Sequence, residues 1–296
     1  MTEPARAPQA TAPTYSLELV TVARPGAAEF VARVARVLET FPQHAPTRVG
    51  ARDPARTTVS DLPGQLVELA TRQADRPQAV VHLAAPHGGG TGTVSYVADP
   101  FRRHPPGFVR PSKVELLLAP RSPGDLGELL ARLAEAIEAS YGFLAQVEHV
   151  HQQRGRFLAD RVGRHGPSPA GGAPPAWRPP PFQALEMHLP DVFWVQVFGP
   201  AFVARWGADR LERAGARRRV LSHGGYVVWA TEEPPPFDEG AATPEAYAWK
   251  HSVYEAIGAQ PFLRADRGWN GFGEHVPLMT EHRAHLCAER LGQPGR

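Results

Sequence analysis

The sequence predicts an α+β fold: antiparallel sheet with helices packed on one face, in two halves joined by a Pro/Gly-rich linker. Three observations predict it. Strand-like runs follow one another with connections too short for a parallel crossover, which needs a dozen or more residues and usually a helix. Amphipathic helices of period 3.6 flank those runs. Residues 166–181 are rich in Pro, Gly and Ala and divide two stretches of different character. The expected organisation is a tail over 1–13, an α+β domain over 14–165, a linker or long loop over 166–181, and an aromatic-rich α+β domain over 182–296.

Residues 15–23 alternate in the manner of a strand. Phe30, Val34, Val37 and Phe41 then recur at helical spacing, with Arg33, Arg36 and Glu39 between them, and Pro42 ends the run. Residues 47–60 are polar and ambiguous. Asp61 is a good N-cap for a second helix that has Pro63 in its first turn and Leu66, Leu69 and Ala70 on one face. Strands are expected over 79–84, 91–98 and 113–119. Ser122-Pro123 opens the clearest helix, with Leu126, Leu130, Leu133, Ile137, Tyr141 and Leu144 in phase, ending or kinking at Gly142. In the second half a strand is expected over 192–198 and a helix over 201–214. A hairpin is expected over 218–231 around Gly224-Gly225, and helices over 244–257 and 280–291.

Composition narrows the function classes. The 296 residues carry 32 basic and 30 acidic side chains, a formal charge of +2. Residues 15–165 hold 18 basic and 15 acidic residues, and residues 182–296 hold 12 and 14. Neither half has the clustered positive charge of a nucleic-acid binder, so nucleic acid is not an expected partner. Cys287 is the only cysteine, which excludes an intrachain disulfide and fits a reducing compartment. The first 13 residues lack an apolar core of the signal-peptide kind, and no apolar run approaches the roughly 20 residues that span a bilayer. A soluble cytoplasmic protein with no membrane partner is expected.

Few residues suggest chemistry. Gly88-Gly89-Gly90-Thr91-Gly92 follows a strand, but another strand-like run comes next, so the phosphate-cradling helix N-terminus is missing and a hairpin turn is expected. No Gly-x-Ser-x-Gly elbow occurs. His149 and His151 point about 200° apart on the helix expected there, and read as solvated side chains. Arg210, Arg213, Arg217, Arg218 and Arg219 read as cations opposing a helix dipole at its C-terminus. No cofactor is expected.

Two surfaces remain. His282, His285 and Glu289 fall at i, i+3 and i+7, on one face of the terminal helix, where they would suit a metal site. They carry the alternative reading, a metal-dependent hydrolase. Glu232, Glu233, Asp238 and Glu239 flank three consecutive prolines, with Trp229 just before them. A rigid loop carrying four carboxylates beside exposed aromatics suits a protein-binding surface.

The stretch from Leu189 to Val203, with Phe193-Trp194 and Phe198-Gly199-Pro200 inside it, is followed by Trp206-Gly207 and by Gly224-Gly225-Tyr226-Val227-Val228. This pattern, over residues 183–236, resembles bacterial immunity-protein families associated with polymorphic toxins. The resemblance implies a cytoplasmic protein that binds and neutralises a cognate toxin and has no catalysis of its own. It assigns no contact residues. The leading expectation is therefore a non-enzymatic protein-binding module that occludes a toxin's active site.

Overall fold

The computed structural model describes residues 14–85, 91–98, 111–119, 123–150, 192–235 and 248–258. Among these residues, ten strands build one antiparallel sheet: β1 (Tyr15–Thr21), β2 (Arg48–Gly50), β3 (Thr57–Thr58), β4 (Gln78–Ala84), β5 (Thr91–Val97), β6 (Ser112–Leu118), β7 (Tyr141–Gln146), β8 (Val195–Phe198), β9 (Arg217–Val220) and β10 (Tyr226–Trp229). Their spatial order is β3-β2-β4-β5-β6-β1-β7-β8-β10-β9. The helices are α1 (Ala27–Glu39), α2 (Leu62–Thr71), α3 (Pro123–Ile137), α4 (Pro200–Trp206), α5 (Ala208–Glu212) and α6 (Ala248–Ile257). The expected α+β class is what the chain adopts.

Strands from both halves of the sequence share this sheet. Tyr141 pairs with Phe198 and Leu144 with Val195, so β7 and β8 join edge to edge across the stretch that contains residues 166–181. One face of the sheet is covered by α1, α2 and α3. Phe30, Val34 and Leu38 of α1, Leu66 of α2 and Leu126, Leu130 and Leu133 of α3 pack there on Leu17, Leu19, Val94, Val114 and Leu144. Complete burial of each such side chain contributes roughly 1.5–3 kcal/mol before the opposing loss of chain entropy.

The other face is divided. Over β1, β7, β8 and β10 it carries a second apolar cluster, in which Val20, Tyr141, Phe143, Phe198 and Val228 meet Phe202 of α4, Leu211 of α5 and Val253 and Ile257 of α6. Helices therefore cover both faces at this end rather than one. Over β6 and its neighbours the same face is polar: Lys113 pairs with Glu18 at 3.2 Å and with Glu115 at 2.7 Å.

Local rules account for most elements. The Asp61 side chain accepts the Gly64 N–H at 3.1 Å and caps α2 as expected. Gly207, with φ at +87°, splits the single helix expected over 201–214 into α4 and α5. The helix expected to run from residue 123 through Leu144 stops at Ile137, and Tyr141–Gln146 is strand β7. Glu138 adopts φ +53°, which ends the helix. The Ala139 N–H then donates to the Ala134 carbonyl at 2.9 Å. β7 lies between β1 and β8 and is buried on both faces, so its apolar run shows no period of two. Tyr141 and Leu144 continued the helical spacing by coincidence of phase.

His149 also departs from its expected solvated state. It is 7% exposed, at 5.3 Å from the Phe193 ring and 6.2 Å from the Trp249 ring. Lys250 Nζ on α6 donates to His149 Nε2 at 2.6 Å. His151 lies outside the described residues, as do residues 86–90 of the glycine-rich segment.

Helix α3 also touches the far end of the sheet. A Cβ on Gly127 would stand 2.2 Å from Trp229 Nε1 on β10. Only a residue without a side chain lets α3 approach the indole this closely. Replacing Gly127 by Ala is expected to lower stability by about 1–3 kcal/mol through overpacking, despite alanine's better helix propensity. Thermal unfolding of the full chain checks this; an unchanged or higher Tm contradicts the close approach.

Candidate functional site

The β9–β10 hairpin and the loop after it form the described part of the surface singled out by the sequence. The hairpin closes on itself through Leu221 N–H to Gly225 O at 2.8 Å and Gly224 N–H to Leu221 O at 3.0 Å. Its turn is strapped to the first half of the chain. The Ser222 N–H donates to both oxygens of Glu135 on α3, at 3.1 and 3.2 Å. His223 Nε2 donates to the Ala139 carbonyl at 3.1 Å.

Side chains alternate along β9. Arg217 stands opposite Trp229 and Arg219 opposite Val227, so both share the face on which α3 packs. Arg219 forms a two-pronged pair with Glu128 of α3, at 3.0 and 2.7 Å. Arg132 reaches the same carboxylate at 2.9 Å and Arg217 at 3.5 Å. Three guanidinium groups thus surround one carboxylate. The Arg219 hydrogen bonds, foremost, hold the Glu128 carboxyl below the usual glutamate range. The Arg217 guanidinium also lies 4.5 Å from the centre of the Trp229 ring, a cation–π contact.

The remaining arginines play different parts. Arg218 and Val220 fall on the opposite face of β9, and both are exposed, Val220 by 63%. Arg210 Nη1 donates to the Ile257 carbonyl at 2.7 Å and so closes the C-terminus of α6. The expected placement of cations at a helix C-terminus holds for Arg210, in the last turn of α5, and for Arg213, its C-cap; Arg210 also serves the end of α6. Arg217, Arg218 and Arg219 belong to a strand. The hairpin expected over 218–231 places Arg218 and Arg219 on its first strand, although the Arg-Arg-Arg-Val run has no alternation of polarity.

Shallow grooves flank this arrangement. One, of about 500 Å³, is lined by Arg132, Glu135, Arg219, Val220, Leu221 and Ser222. A second, of about 680 Å³, lies beyond Arg132 and is lined by Arg33, Arg36, Val37, Thr40 and Phe41 among others.

The acidic loop leaves β10 at Ala230. Trp194 Nε1 donates to the Thr231 carbonyl at 3.1 Å, Thr231 Oγ1 donates to the Glu233 carbonyl at 2.6 Å, and Gln146 Nε2 donates to the Pro235 carbonyl at 3.3 Å. Glu232 and Glu233 are exposed on this pinned backbone. Trp229, expected beside them as a surface anchor, is core: it is 3% exposed, held between Gly127 and Arg217. A side chain so enclosed offers a partner almost no area.

Asp238 and Glu239 lie outside the described residues, and so do His282, His285 and Glu289. Among the described residues no three His, Cys, Asp or Glu side chains converge as metal ligands would. Among them, too, no helix is long and apolar enough to cross a membrane.

No family model matches the chain. No curated protein matches it. Among solved structures, a T6SS protein of Pseudomonas aeruginosa is similar over 90% of this chain and 84% of its own, with a TM-score of 0.50 and 10% sequence identity. At that identity the likeness is one of fold.

The Arg219–Glu128 pair links the hairpin to α3, and its depressed carboxyl gives a testable sign. A carboxyl whose folded value lies below its unfolded value stabilises the fold above the unfolded value. That contribution disappears as pH falls through the folded value. Substituting Glu128→Gln is expected to cost about 1 kcal/mol near neutrality, since the pair is partly exposed. It should cost nothing once the pH is below the folded value. Urea unfolding of both proteins at a series of pH values below 7 measures the difference; a penalty that does not shrink as pH falls rules out the ion pair as its source.

Proposed function

We propose that this protein is a non-enzymatic binding module, an immunity protein that neutralises a cognate bacterial toxin by covering its active site. The observation that carries this reading is the pinned acidic loop. Glu232 and Glu233 stand exposed on a backbone held by Trp194, Thr231 and Gln146. A pre-ordered loop loses little entropy on association, and its carboxylates steer a basic partner into register. Asp238 and Glu239 extend the same run of charge in the sequence.

Two further points support it. The described residues of the stretch that resembles immunity families, Val192 to Val203 with Trp206-Gly207 and Gly224 to Val228, build β8, α4 and β10, the part of the fold that carries the loop. The T6SS protein of similar fold agrees with a toxin-related setting. In this reading the protein acts in the cytoplasm, needs no cofactor, and has a cognate protein toxin as its partner.

The test is co-expression with the product of the adjacent gene. Cells producing that product alone are expected to stop growing, and cells producing both are expected to grow, with the two proteins purifying as one complex. Glu232→Lys together with Glu233→Lys is expected to weaken the complex about tenfold, chiefly by slowing association. The Tm of the free protein should stay unchanged, because both side chains are exposed. Growth arrest that the wild-type protein does not relieve overturns the reading.

A further inference from the structure

Strand β9 is the outermost strand at one end of the ten-stranded sheet. One backbone edge pairs with β10, and no strand among the described residues pairs with the other. Leu221 N–H points to β10. Backbone direction alternates along a strand, so Arg219 and Arg217 also point inward while Arg218 and Val220 present N–H and C=O outward. Such an edge is a ready template for another strand.

Its charge selects what can add. Among the described residues, Glu128 is the only carboxylate that the arginines of β9 reach, and it is shared among Arg132, Arg217 and Arg219. One negative charge against three leaves a positive surplus, to which exposed Arg218 adds another. A second copy pairing antiparallel about Arg218 would set Arg217 against Arg219 across the strands. Like charges directly opposite are destabilising, so self-pairing is disfavoured. A strand bearing carboxylates opposite the three arginines relieves the surplus. A small apolar side chain suits the position opposite Val220, which is 63% exposed. The groove of about 500 Å³ between α3 and β9 leaves room for side chains on the α3 face of an added strand.

We propose that β9 is a docking edge for an extended acidic segment of a partner protein, which joins the sheet as an eleventh strand with its carboxylates on Arg217, Arg218 and Arg219. This goes beyond the toxin-neutralising role and stands on the edge strand alone, apart from the acidic loop. Main-chain hydrogen bonds would supply affinity and the arginines specificity.

The experiment uses the full chain, labelled with ¹⁵N, and the blocked peptide acetyl-Thr-Val-Glu-Glu-Glu-Thr-amide. Shift changes are expected at the amides of Arg218 and Val220 and at the Trp229 indole. Exchange of the two amides with solvent should slow in the complex. Binding should weaken at least fivefold with Arg218→Glu, whose exposed site leaves the fold intact. It should weaken similarly in high salt, and stay the same with Glu233→Gln. The peptide with Lys in place of Glu should bind at least tenfold more weakly. Equal binding of the two peptides overturns the proposal, as does unchanged binding by Arg218→Glu. Tighter binding of a single-stranded oligothymidylate assigns the arginines to nucleic acid and overturns it too. Amides of Arg218 and Val220 already protected in the free protein would mean that a segment of this chain occupies the edge, with the same consequence.

Discussion

The pairing of β7 with β8 is the constraint on which the rest of the structure depends. Four residue pairs, from Tyr141 opposite Phe198 to Leu144 opposite Val195, tie the two halves of the sequence into a single sheet. They allow α3, from the first half, to lie across the strands of the second. The contacts of Gly127 with Trp229, of Glu128 with Arg219 and of Glu135 with Ser222 all follow from that crossing. Each is a contact between residues about 90–100 positions apart.

The hairpin inherits its rigidity from this arrangement. An isolated two-stranded hairpin is marginal in water. Here β10 packs against β8, the turn is held by Glu135 and Ala139, and Trp229 is sunk beneath Arg217. Binding surfaces on rigid elements lose less freedom when a partner arrives. The acidic loop profits in the same way, because its anchors come from β7 and from the segment that enters β8.

Local signals in the sequence made much of this fold legible. The Asp61 cap, the periodicity of α1 and the alternation of β4 and β6 each follow from rules that act within a few residues. What stayed hidden depends on partners far along the chain. β7 reads as helix because both of its faces are buried, and only its neighbours β1 and β8 make it a strand. Trp229 reads as a surface aromatic because nothing near it announces the glycine of α3 that receives it. Of the acidic surface, Glu232 and Glu233 were legible from the prolines beside them. The arginine edge was legible as a charge cluster but not as an edge, since strand order cannot be read from spacing.

The place of β1 bears on how this chain comes to be folded. Although it comes before every other described strand in the chain, it sits in the interior of the sheet, between β6 and β7, and its Tyr15 faces Leu118 on one side and Gln146 on the other. On a ribosome β1 therefore waits for its partners: Ser112, opposite Thr21, is made 91 residues later, and Tyr141, opposite Val20, 121 residues later. Closure entropy for such separations is lost before the contacts repay it, which slows folding and prolongs exposure of unpaired edges. The sheet around β1 is therefore complete only once β7, made after every other partner of β1, takes its place.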